Sequence, residues 1–387
     1  MYRMGEAELK RLRRLIESGR MYRYEGGECD LFEERWARHV GVRYARMTRS
    51  GTAAIYTALV GLGVGPGDQV IVPAYTYMAT ALGIINAGAI PVVADVDESL
   101  TLSPQDLERR ITPHTRAVIP VHMCGLSCNM NAIMKIARSR GLLVLEDACQ
   151  AVGGGYRGRK LGSIGHAGAF SFNFFKNISC GEGGAFVAKT KKVFDRASVA
   201  ADCCAYYWNP EIHSDDVQFA GHNFRASEFE GAIMNVQLRR IDGILSRMRE
   251  HKKAVTAAGE EAGLRSIPCN SIDHECGSHA GFLFDDEGRA RRFRDRLGDA
   301  GVGSFLPMDT GRHVYTRWHP ILREQGSHHP ALDPFKIPAN RRCKVNYSEE
   351  MCRDSLDILA RAVLIGMHPD NPRSRVRAIC KAVAAAA

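Results

Sequence analysis

One lysine, Lys176, lies between the aromatic run 170–175 and the small-residue turn 177–184. Burial beside aromatic rings favours the neutral form of an amine, and a neutral amine forms a Schiff base with a carbonyl carbon. A solvated lysine in a loop after a strand fits the same segment, because long charged side chains readily stay in water. The other polar segments of the chain decide between these two interpretations.

Two segments have residues that suit a phosphorylated, planar ligand. Ser50-Gly51-Thr52 lies where a predicted strand turns into a helix, and the free N–H groups and dipole of a helix start attract phosphate. A plain helix N-cap uses the same residue types. Tyr77 follows the predicted strand 69–72, so its ring could cover a planar group. Taken alone, Tyr77 is explained more simply as a core aromatic residue.

A carboxylate lies at the end of another apolar strand. Asp147 follows the run Leu142-Leu143-Val144-Leu145 and is followed closely by Gln150. A carboxylate buried there needs a cationic partner, and a protonated ring nitrogen would serve. The alternative is that Asp147 caps the next helix.

Together these features are the parts of a pyridoxal phosphate site. This cofactor acts as an electron sink, with an aspartate on its pyridinium nitrogen and a lysine on its aldehyde. In an open α/β sheet, ligands gather beyond the carboxyl ends of the strands, where all four features fall. Each signal is weak alone, and their order along the chain makes the combination much stronger.

Strands and helices alternate over residues 43–200, which predicts a mostly parallel sheet with helices on both faces. The predicted strands are 42–47, 69–72, 90–95, 116–121 and 142–146. The predicted helices between them are 53–62, 78–87, 103–110 and 131–140.

Beyond this sheet the pattern changes. Helical apolar spacing runs over 225–258 and predicts a link between two domains, 1–245 and 246–387. A smaller α/β unit is predicted from about 278, with strands at 279–284 and 302–306, a helix at 286–299 and a last helix at 371–386. The segment 307–345, rich in Pro, His and Arg, has no clear pattern.

Composition and charge favour a globular enzyme over a nucleic-acid-binding protein. With 45% hydrophobic and 25% charged residues over 387 positions, the chain has the composition of a globular enzyme. The net charge is +9, concentrated in residues 312–387, and favours an anionic substrate over nucleic acid because no nucleic-acid-binding motif is present. A solvated basic face is a simpler explanation of the same charge.

Neither a metal site nor a membrane segment is expected. The 12 cysteines form no CxxC pair or zinc-like tetrad, so we expect buried thiols and no metal. No apolar run is long enough to span a membrane, and the first 20 residues predict an amphipathic helix instead of a signal peptide. The cytoplasm is therefore the expected location.

The chain resembles the DegT/DnrJ/EryC1/StrS family of pyridoxal-phosphate-dependent sugar aminotransferases. The motifs that carry the resemblance are Ser50-Gly51-Thr52-Ala53-Ala54, Val72-Pro73-Ala74-Tyr75-Thr76-Tyr77, Glu146-Asp147-Ala148-Cys149-Gln150, Ser171-Phe172 with Lys176 and Gly181-Glu182-Gly183-Gly184, and Gly221-His222-Asn223-Phe224-Arg225. The resemblance implies the fold-type-I architecture of aspartate aminotransferase, with a seven-stranded, mostly parallel sheet and a smaller C-terminal α/β domain.

The resemblance also implies a role for each residue. Lys176 would anchor the cofactor and move the proton, Asp147 would pair with the pyridinium nitrogen, Gln150 would bind the ring hydroxyl and Tyr77 would stack on the ring. The phosphate would be bound by Gly51, Thr52 and Ser171, and by Asn223 from a neighbouring subunit, which implies a homodimer with shared sites.

The implied reaction moves an amino group from glutamate or glutamine to a keto-sugar or keto-cyclitol. Some relatives have histidine in place of the lysine and act as dehydratases, and Lys176 argues against that branch. A cyclisation–dehydration toward an aminohydroxybenzoate remains an alternative reaction. A non-catalytic cofactor-binding regulator is a remote alternative.

Overall fold

The computed structural model describes residues 4–203, 205–209, 212 and 217–387. Residues 1–3 of the predicted N-terminal helix and Cys204 lie outside the described residues. The β-strands are β1 Tyr44–Thr48, β2 Gln69–Pro73, β3 Ile90–Ala94, β4 Thr115–Val118, β5 Leu143–Asp147, β6 Gly155–Tyr156, β7 Arg159–Lys160, β8 Ala167–Ser171, β9 Gly184–Ala188, β10 Arg265–Ser266, β11 His279–Leu283, β12 Ser304–Phe305 and β13 Ala362–Gly366.

The α-helices are α1 Glu6–Ser18, α2 Glu28–Val40, α3 Gly51–Gly61, α4 Ala79–Asn86, α5 Pro104–Arg110, α6 Met130–Ser139, α7 Lys191–Ala201, α8 Ala205–Trp208, α9 Glu228–Gln237, α10 Ile241–Glu261, α11 Glu287–Asp299, α12 His319–Leu322, α13 Arg353–Ala360 and α14 Arg373–Ala386. Short 3-10 turns occupy Met123–Gly125, Leu238–Arg240, Pro307–Thr310, Tyr315–Arg317, Pro330–Leu332 and Pro338–Asn340.

The larger sheet has seven strands in the order β1-β9-β8-β5-β4-β2-β3. Its pairs from β8 to β3 are parallel, whereas β9 pairs antiparallel with both β8 and β1. Six of the seven strands therefore point the same way, and their carboxyl ends lie along one edge of the sheet. The prediction of a mostly parallel sheet is confirmed.

Both faces of this sheet are buried, as a parallel sheet requires. Alternate residues of one strand face opposite sides, and in β2 Ile71 packs into one hydrophobic cluster while Val70 and Val72 pack into another. The first cluster is covered by α2, α5 and α6, and the second by α3, α4 and α7. The short apolar runs in the sequence are explained by this burial on two sides.

The bounds of most predicted elements agree with the structure to within a few residues, and two strands are clearly shorter. The strand predicted over 302–306 is only Ser304–Phe305. The strand predicted over 116–121 ends at Val118. Pro120 has no N–H group, so a ladder of hydrogen bonds cannot continue through it. The chain nevertheless stays beside β5, where the carbonyl oxygen of Pro120 accepts a hydrogen bond from the Asp147 N–H.

A smaller sheet has the order β10-β11-β13-β12, and all its pairs are antiparallel. It begins at Arg265, earlier than the predicted start near 278. Its central strand β13 was not identified in the sequence, because a short apolar run such as Ala362–Ile365 also fits a buried helix segment. Helices α10 and α11 pack on this sheet, and α14 packs against those two helices.

The helical stretch predicted over 225–258 consists of two helices. Helix α9 begins after Ser227, whose hydroxyl caps the N–H of Glu230, and the 3-10 turn Leu238–Arg240 separates it from α10. The predicted domain boundary at 245/246 falls inside α10, and the division into two domains remains a prediction.

Among the described residues, no helix has the length and apolar character needed to cross a membrane.

Candidate active site

A cavity of about 630 Å³ opens at the carboxyl ends of β1, β2, β5 and β8. This volume lies within the range of about 300–1,000 Å³ that is typical of small-molecule sites. The predicted site residues on its wall are Gly51, Thr52, Tyr77, Asp147, Gln150, Ser171 and Lys176. The fold therefore gathers residues that are far apart in the sequence, as the strand-end argument predicts.

Asp147 lies at the end of β5, and its side chain is buried in the cavity wall. One carboxylate oxygen accepts a hydrogen bond from the Thr80 hydroxyl at 2.7 Å, and the other accepts from the Cys149 N–H at 3.0 Å. Within the part of the chain that the structure describes, Asp147 has no ion-pair partner. A buried carboxylate with only neutral donors favours a cationic ligand group, such as a pyridinium nitrogen.

The neighbouring carboxylate of Glu146 points to the opposite face of the strand. It accepts hydrogen bonds from the backbone N–H groups of Gly162, Ile164 and Gly165, and it lies 3.2 Å from the Nε2 atom of His122. Glu146 is thus fully engaged by the protein, whereas Asp147 faces the cavity.

Lys176 is half-buried on a loop between β8 and β9. The loop closes on itself through hydrogen bonds from the Phe172 N–H to the Gly183 carbonyl at 2.8 Å and from the Cys180 N–H to the Phe172 carbonyl at 3.1 Å. The two exposed rings before the lysine, Phe174 and Phe175, point away from the core. The loop therefore holds Lys176 at the cavity wall.

The predicted phosphate seat is the N-terminus of α3. The Ser50 hydroxyl caps the helix by accepting a hydrogen bond from the Ala53 N–H at 3.1 Å. The N–H groups of Gly51 and Thr52, in the first turn, have no acceptor within the helix and are available to an anion. Ser171, at the end of β8, lies close beside Gly51.

Gly51 is required by this close packing, and its replacement tests the seat. A Cβ atom at Gly51 would lie 2.8 Å from both the Cys149 sulphur and the Ser171 Cβ. We expect Gly51→Ala to lower the free energy of unfolding by about 1–3 kcal/mol and to weaken cofactor binding, because the helix start must shift. Thermal unfolding and a cofactor titration measure both effects.

Gly65→Ala is the matched control, because a Cβ atom there would lie no closer than 3.8 Å to its nearest neighbour, the Ala87 carbonyl oxygen. Equal cofactor affinity in the Gly51→Ala variant and the control would contradict a phosphate seat at Gly51.

Tyr77 and Gln150 provide the other predicted contacts with the ring. The Tyr77 side chain is 48% exposed, so one surface of its ring is open to the cavity mouth, and its centroid lies 5.7 Å from that of His313. The Gln150 Oε1 atom accepts a hydrogen bond from the Cys124 N–H at 3.3 Å. This contact leaves the amide nitrogen of Gln150 as a donor.

Thiols and uncharged imidazoles surround the lysine. Burial raises the pKa of Cys124 to about 11 and raises that of Cys149 well above its usual value. Burial also lowers the pKa of His279 and His313 to about 4, and for His313 the charges of Arg312 and Lys176 add to the effect. Near neutral pH these four side chains are therefore uncharged.

Several wall residues were not identified as site residues in the sequence. Thr80 follows Tyr77 by three residues, one helical turn, and this spacing was the available signal. His279 begins β11 of the smaller sheet and Ser278 directly precedes it, and the sequence has no signal that brings them to the cavity. Arg312 and His313 come from the segment 307–345, to which no element was assigned in the sequence.

Asn223 does not line the cavity of its own chain. It is exposed and pairs with Asp202 through an isolated antiparallel bridge. The predicted contribution of Asn223 to a neighbouring subunit's site therefore remains a prediction.

The wall residues fit pyridoxal phosphate. Asp147 offers the buried carboxylate for its ring nitrogen, the start of α3 offers N–H groups for its phosphate, and Lys176 offers an amine for its aldehyde. Among the described residues, no cluster of three His, Cys, Asp or Glu side chains is arranged to hold a metal ion.

Comparisons with known proteins agree with this site. Residues 2–302 match the model of the DegT/DnrJ/EryC1/StrS aminotransferase family. The chain is 36% identical over 373 residues to the spore coat polysaccharide biosynthesis protein SpsC of Bacillus subtilis, covering 93% of this chain and 94% of that protein. It is 40% identical over 216 residues to GDP-perosamine synthase of Caulobacter vibrioides, covering 54% of this chain and 56% of that enzyme.

The crystal structure of 3-amino-5-hydroxybenzoic acid synthase is also similar, with a TM-score of 0.80 and 27% identity over 99% of this chain and 97% of that chain. The fold-type-I prediction is thereby confirmed. The chain belongs to the DegT/DnrJ/EryC1/StrS family, and it is a pyridoxal-phosphate-dependent aminotransferase.

Proposed function

We propose that this aminotransferase moves an amino group from glutamate or glutamine to the keto group of a sugar or cyclitol in amino-sugar biosynthesis. The names of its relatives support a sugar acceptor, since one is a polysaccharide biosynthesis protein and another is GDP-perosamine synthase. A relative from Streptoalloteichus tenebrarius is named a putative L-glutamine:3-amino-2,3-dideoxy-scyllo-inosose aminotransferase. This name supports glutamine as one of the two donors.

The observation that carries the proposal is the cavity in which Lys176 and the buried Asp147 carboxylate share one wall with the start of α3. We assign the cofactor's ring nitrogen to Asp147, its hydroxyl to Gln150, its ring face to Tyr77 and its anchor to Lys176. The phosphate is assigned to a set of small residues, namely Gly51, Thr52 and Ser171.

When bound, pyridoxal phosphate supplies the electron sink that lets an amino group pass from donor to acceptor. The protein contributes orientation and proton transfer. The amine of Lys176 takes a proton from the donor carbon and later gives one to the acceptor carbon. Asp147 keeps the ring nitrogen protonated, because its buried carboxylate favours a positive charge beside it.

The proposed active unit is a homodimer in which Asn223 reaches the phosphate bound by the partner. The exposure of Asn223, away from its own cavity, is compatible with this assignment. A mixed dimer of a Lys176 variant and an Asn223 variant tests this assignment.

Absorbance of the cofactor tests the proposed reaction in two halves. We expect glutamate or glutamine to bleach the visible band of the loaded protein, because the amino group moves to the cofactor. A keto-sugar or keto-cyclitol that is a true acceptor should then restore the band. Nucleotide-linked keto-sugars, sugar phosphates and free cyclitols form the acceptor panel. A band that neither donor changes would contradict the donor assignment.

A cyclisation–dehydration toward an aminohydroxybenzoate is the second candidate function, and the similarity to 3-amino-5-hydroxybenzoic acid synthase favours it. Mass analysis of the product separates the two reactions, since amination keeps the oxygenated ring and aromatisation removes water. An aromatic product formed without an amino donor would replace the first proposal by the second.

A further inference from the structure

The segment 307–318 is fixed across the mouth of the cavity. The His313 carbonyl accepts a hydrogen bond from the Thr76 N–H at 2.9 Å, and the Tyr315 N–H donates to the Ala74 carbonyl at 3.0 Å. The side chains of Tyr315 and Trp318 are fully buried. The backbone at positions 312 and 313 is therefore held next to Tyr77 and does not behave as a free surface loop.

Arg312 is an exposed cation on the wall of this cavity, and it has no hydrogen-bond or ion-pair partner among the described residues. The acidic residue of the same segment, Asp309, already pairs with Arg291 at 3.1 Å and with Arg294 at 3.6 Å. An arginine presents five donors in a planar fork that matches carboxylate and phosphate oxygens. Its guanidinium is thus available to an anionic ligand.

His313, the next residue, gives a second indication that a ligand binds beside Arg312. Its Nδ1 atom is buried and has no hydrogen-bond partner among the described residues. Its ring lies in the field of both Arg312 and Lys176, which disfavours a third positive charge there. A buried polar atom without a partner costs free energy unless a ligand or water engages it, so this atom also indicates a ligand.

The wall has two charged side chains of each sign, and the proposed contacts with the cofactor use one of each. Its cations are Lys176 and Arg312, and its carboxylates are Asp147 and Glu182. In the proposed function Asp147 is occupied by the cofactor's ring nitrogen and Lys176 by its aldehyde. Arg312 is then the cation left for the substrate.

We propose that Arg312 is a specificity-determining residue that binds an anionic group, carboxylate or phosphate, on the substrate, with His313 beside it as a hydrogen-bond partner. This inference rests on the proposed function. Two sources carry that chemistry: the carboxylates of the amino donor, and a phosphate or carboxylate on the acceptor. The test therefore uses one unreactive probe for each source.

The test measures the dissociation constants of succinate and inorganic pyrophosphate for the cofactor-loaded protein by calorimetry. We expect Arg312→Gln to weaken binding of at least one probe about tenfold or more, because a charge-assisted bidentate contact is lost. Arg312→Lys should lose less, since the charge remains without the fork. Arg317→Gln is the matched control, an exposed arginine of the same segment that is not on the cavity wall.

The pattern identifies the source of the anion. Weaker succinate binding alone assigns Arg312 to the amino donor, and weaker pyrophosphate binding alone assigns it to the acceptor. The inference is overturned if both constants stay within twofold of the control, or if the wild-type protein binds neither probe. These binding constants do not depend on turnover. If the proposed donors and acceptors do not react, the result for Arg312 can therefore still be judged separately.

Discussion

Replacing Lys176 with alanine is expected to lower turnover by about 10,000-fold or more while the protein still folds and binds the cofactor. The variant loses both the covalent anchor and the group that moves the proton, and general acid–base catalysis alone contributes up to about 10,000-fold. The side chain is half-buried on a loop that is held by its own backbone hydrogen bonds, so folding should be kept.

The control is Lys192→Ala, which removes an exposed lysine from α7. Single-turnover absorbance measures the amino transfer, and thermal unfolding with and without cofactor measures folding and binding. Normal transamination by the Lys176→Ala variant would contradict the assignment of Lys176 as the cofactor anchor and proton-transfer group. If the Lys176→Ala variant no longer binds the cofactor, the expectation that the phosphate and ring contacts suffice for binding is wrong. Lys176 would then be needed for binding as well as for chemistry.

The same variant tests the shared dimer. If Asn223 serves the partner's site, a mixed dimer of one Lys176→Ala chain and one Asn223→Ala chain has one site with both defects and one intact site. Mixing and refolding the two weak variants should therefore restore part of the activity. Activity that never exceeds that of the separate variants would contradict sites shared in this way.

The sequence predicts the central sheet well, because its signal is local. Strands such as β2 and β3 are short apolar runs bounded by turns, and burial on both faces explains why nearly every residue in them is apolar. The same rule placed Asp147 at a strand end, whereas β8 and β9 were not among the predicted strands, and Ser171 was named only through the family resemblance. The carboxyl ends of parallel strands meet at one edge, so alternation along the chain was enough to bring the residues at the predicted strand ends together.

The far wall of the cavity could not be predicted in this way. His313 reaches it through a backbone hydrogen bond to Thr76, a residue more than two hundred positions earlier, and the segment 307–345 that contains His313 has no clear sequence pattern. His279 arrives through the smaller sheet, and its Nδ1 atom lies 2.9 Å from the Cys124 carbonyl oxygen. Such contacts depend on tertiary packing, which leaves no mark on local composition.

Glu146 and Asp147 are adjacent at the end of β5, and their carboxylates face opposite sides of the strand. We therefore expect opposite effects when each one is replaced by its amide. Asp147→Asn is expected to lower turnover roughly 100- to 1,000-fold, since an amide cannot stabilise a protonated ring nitrogen as a carboxylate does. The unloaded protein should be no less stable, because Asp147 has no ion pair among the described residues and both contacts have an amide equivalent. The amide oxygen can accept from the Cys149 N–H, and the Thr80 hydroxyl, which also lies 3.2 Å from the Tyr77 carbonyl oxygen, can accept from the amide nitrogen.

Glu146→Gln should show the reverse pattern. Its carboxylate accepts hydrogen bonds from three backbone N–H groups, and an amide in its place turns a donor toward some of them. We expect the free energy of unfolding to fall by about 2–3 kcal/mol, while the folded fraction keeps its turnover. Urea unfolding of both unloaded variants and single-turnover rates of both loaded variants measure the contrast. If the Asp147→Asn variant loses stability but keeps its rate, then Asp147 supports the fold and does not serve the cofactor.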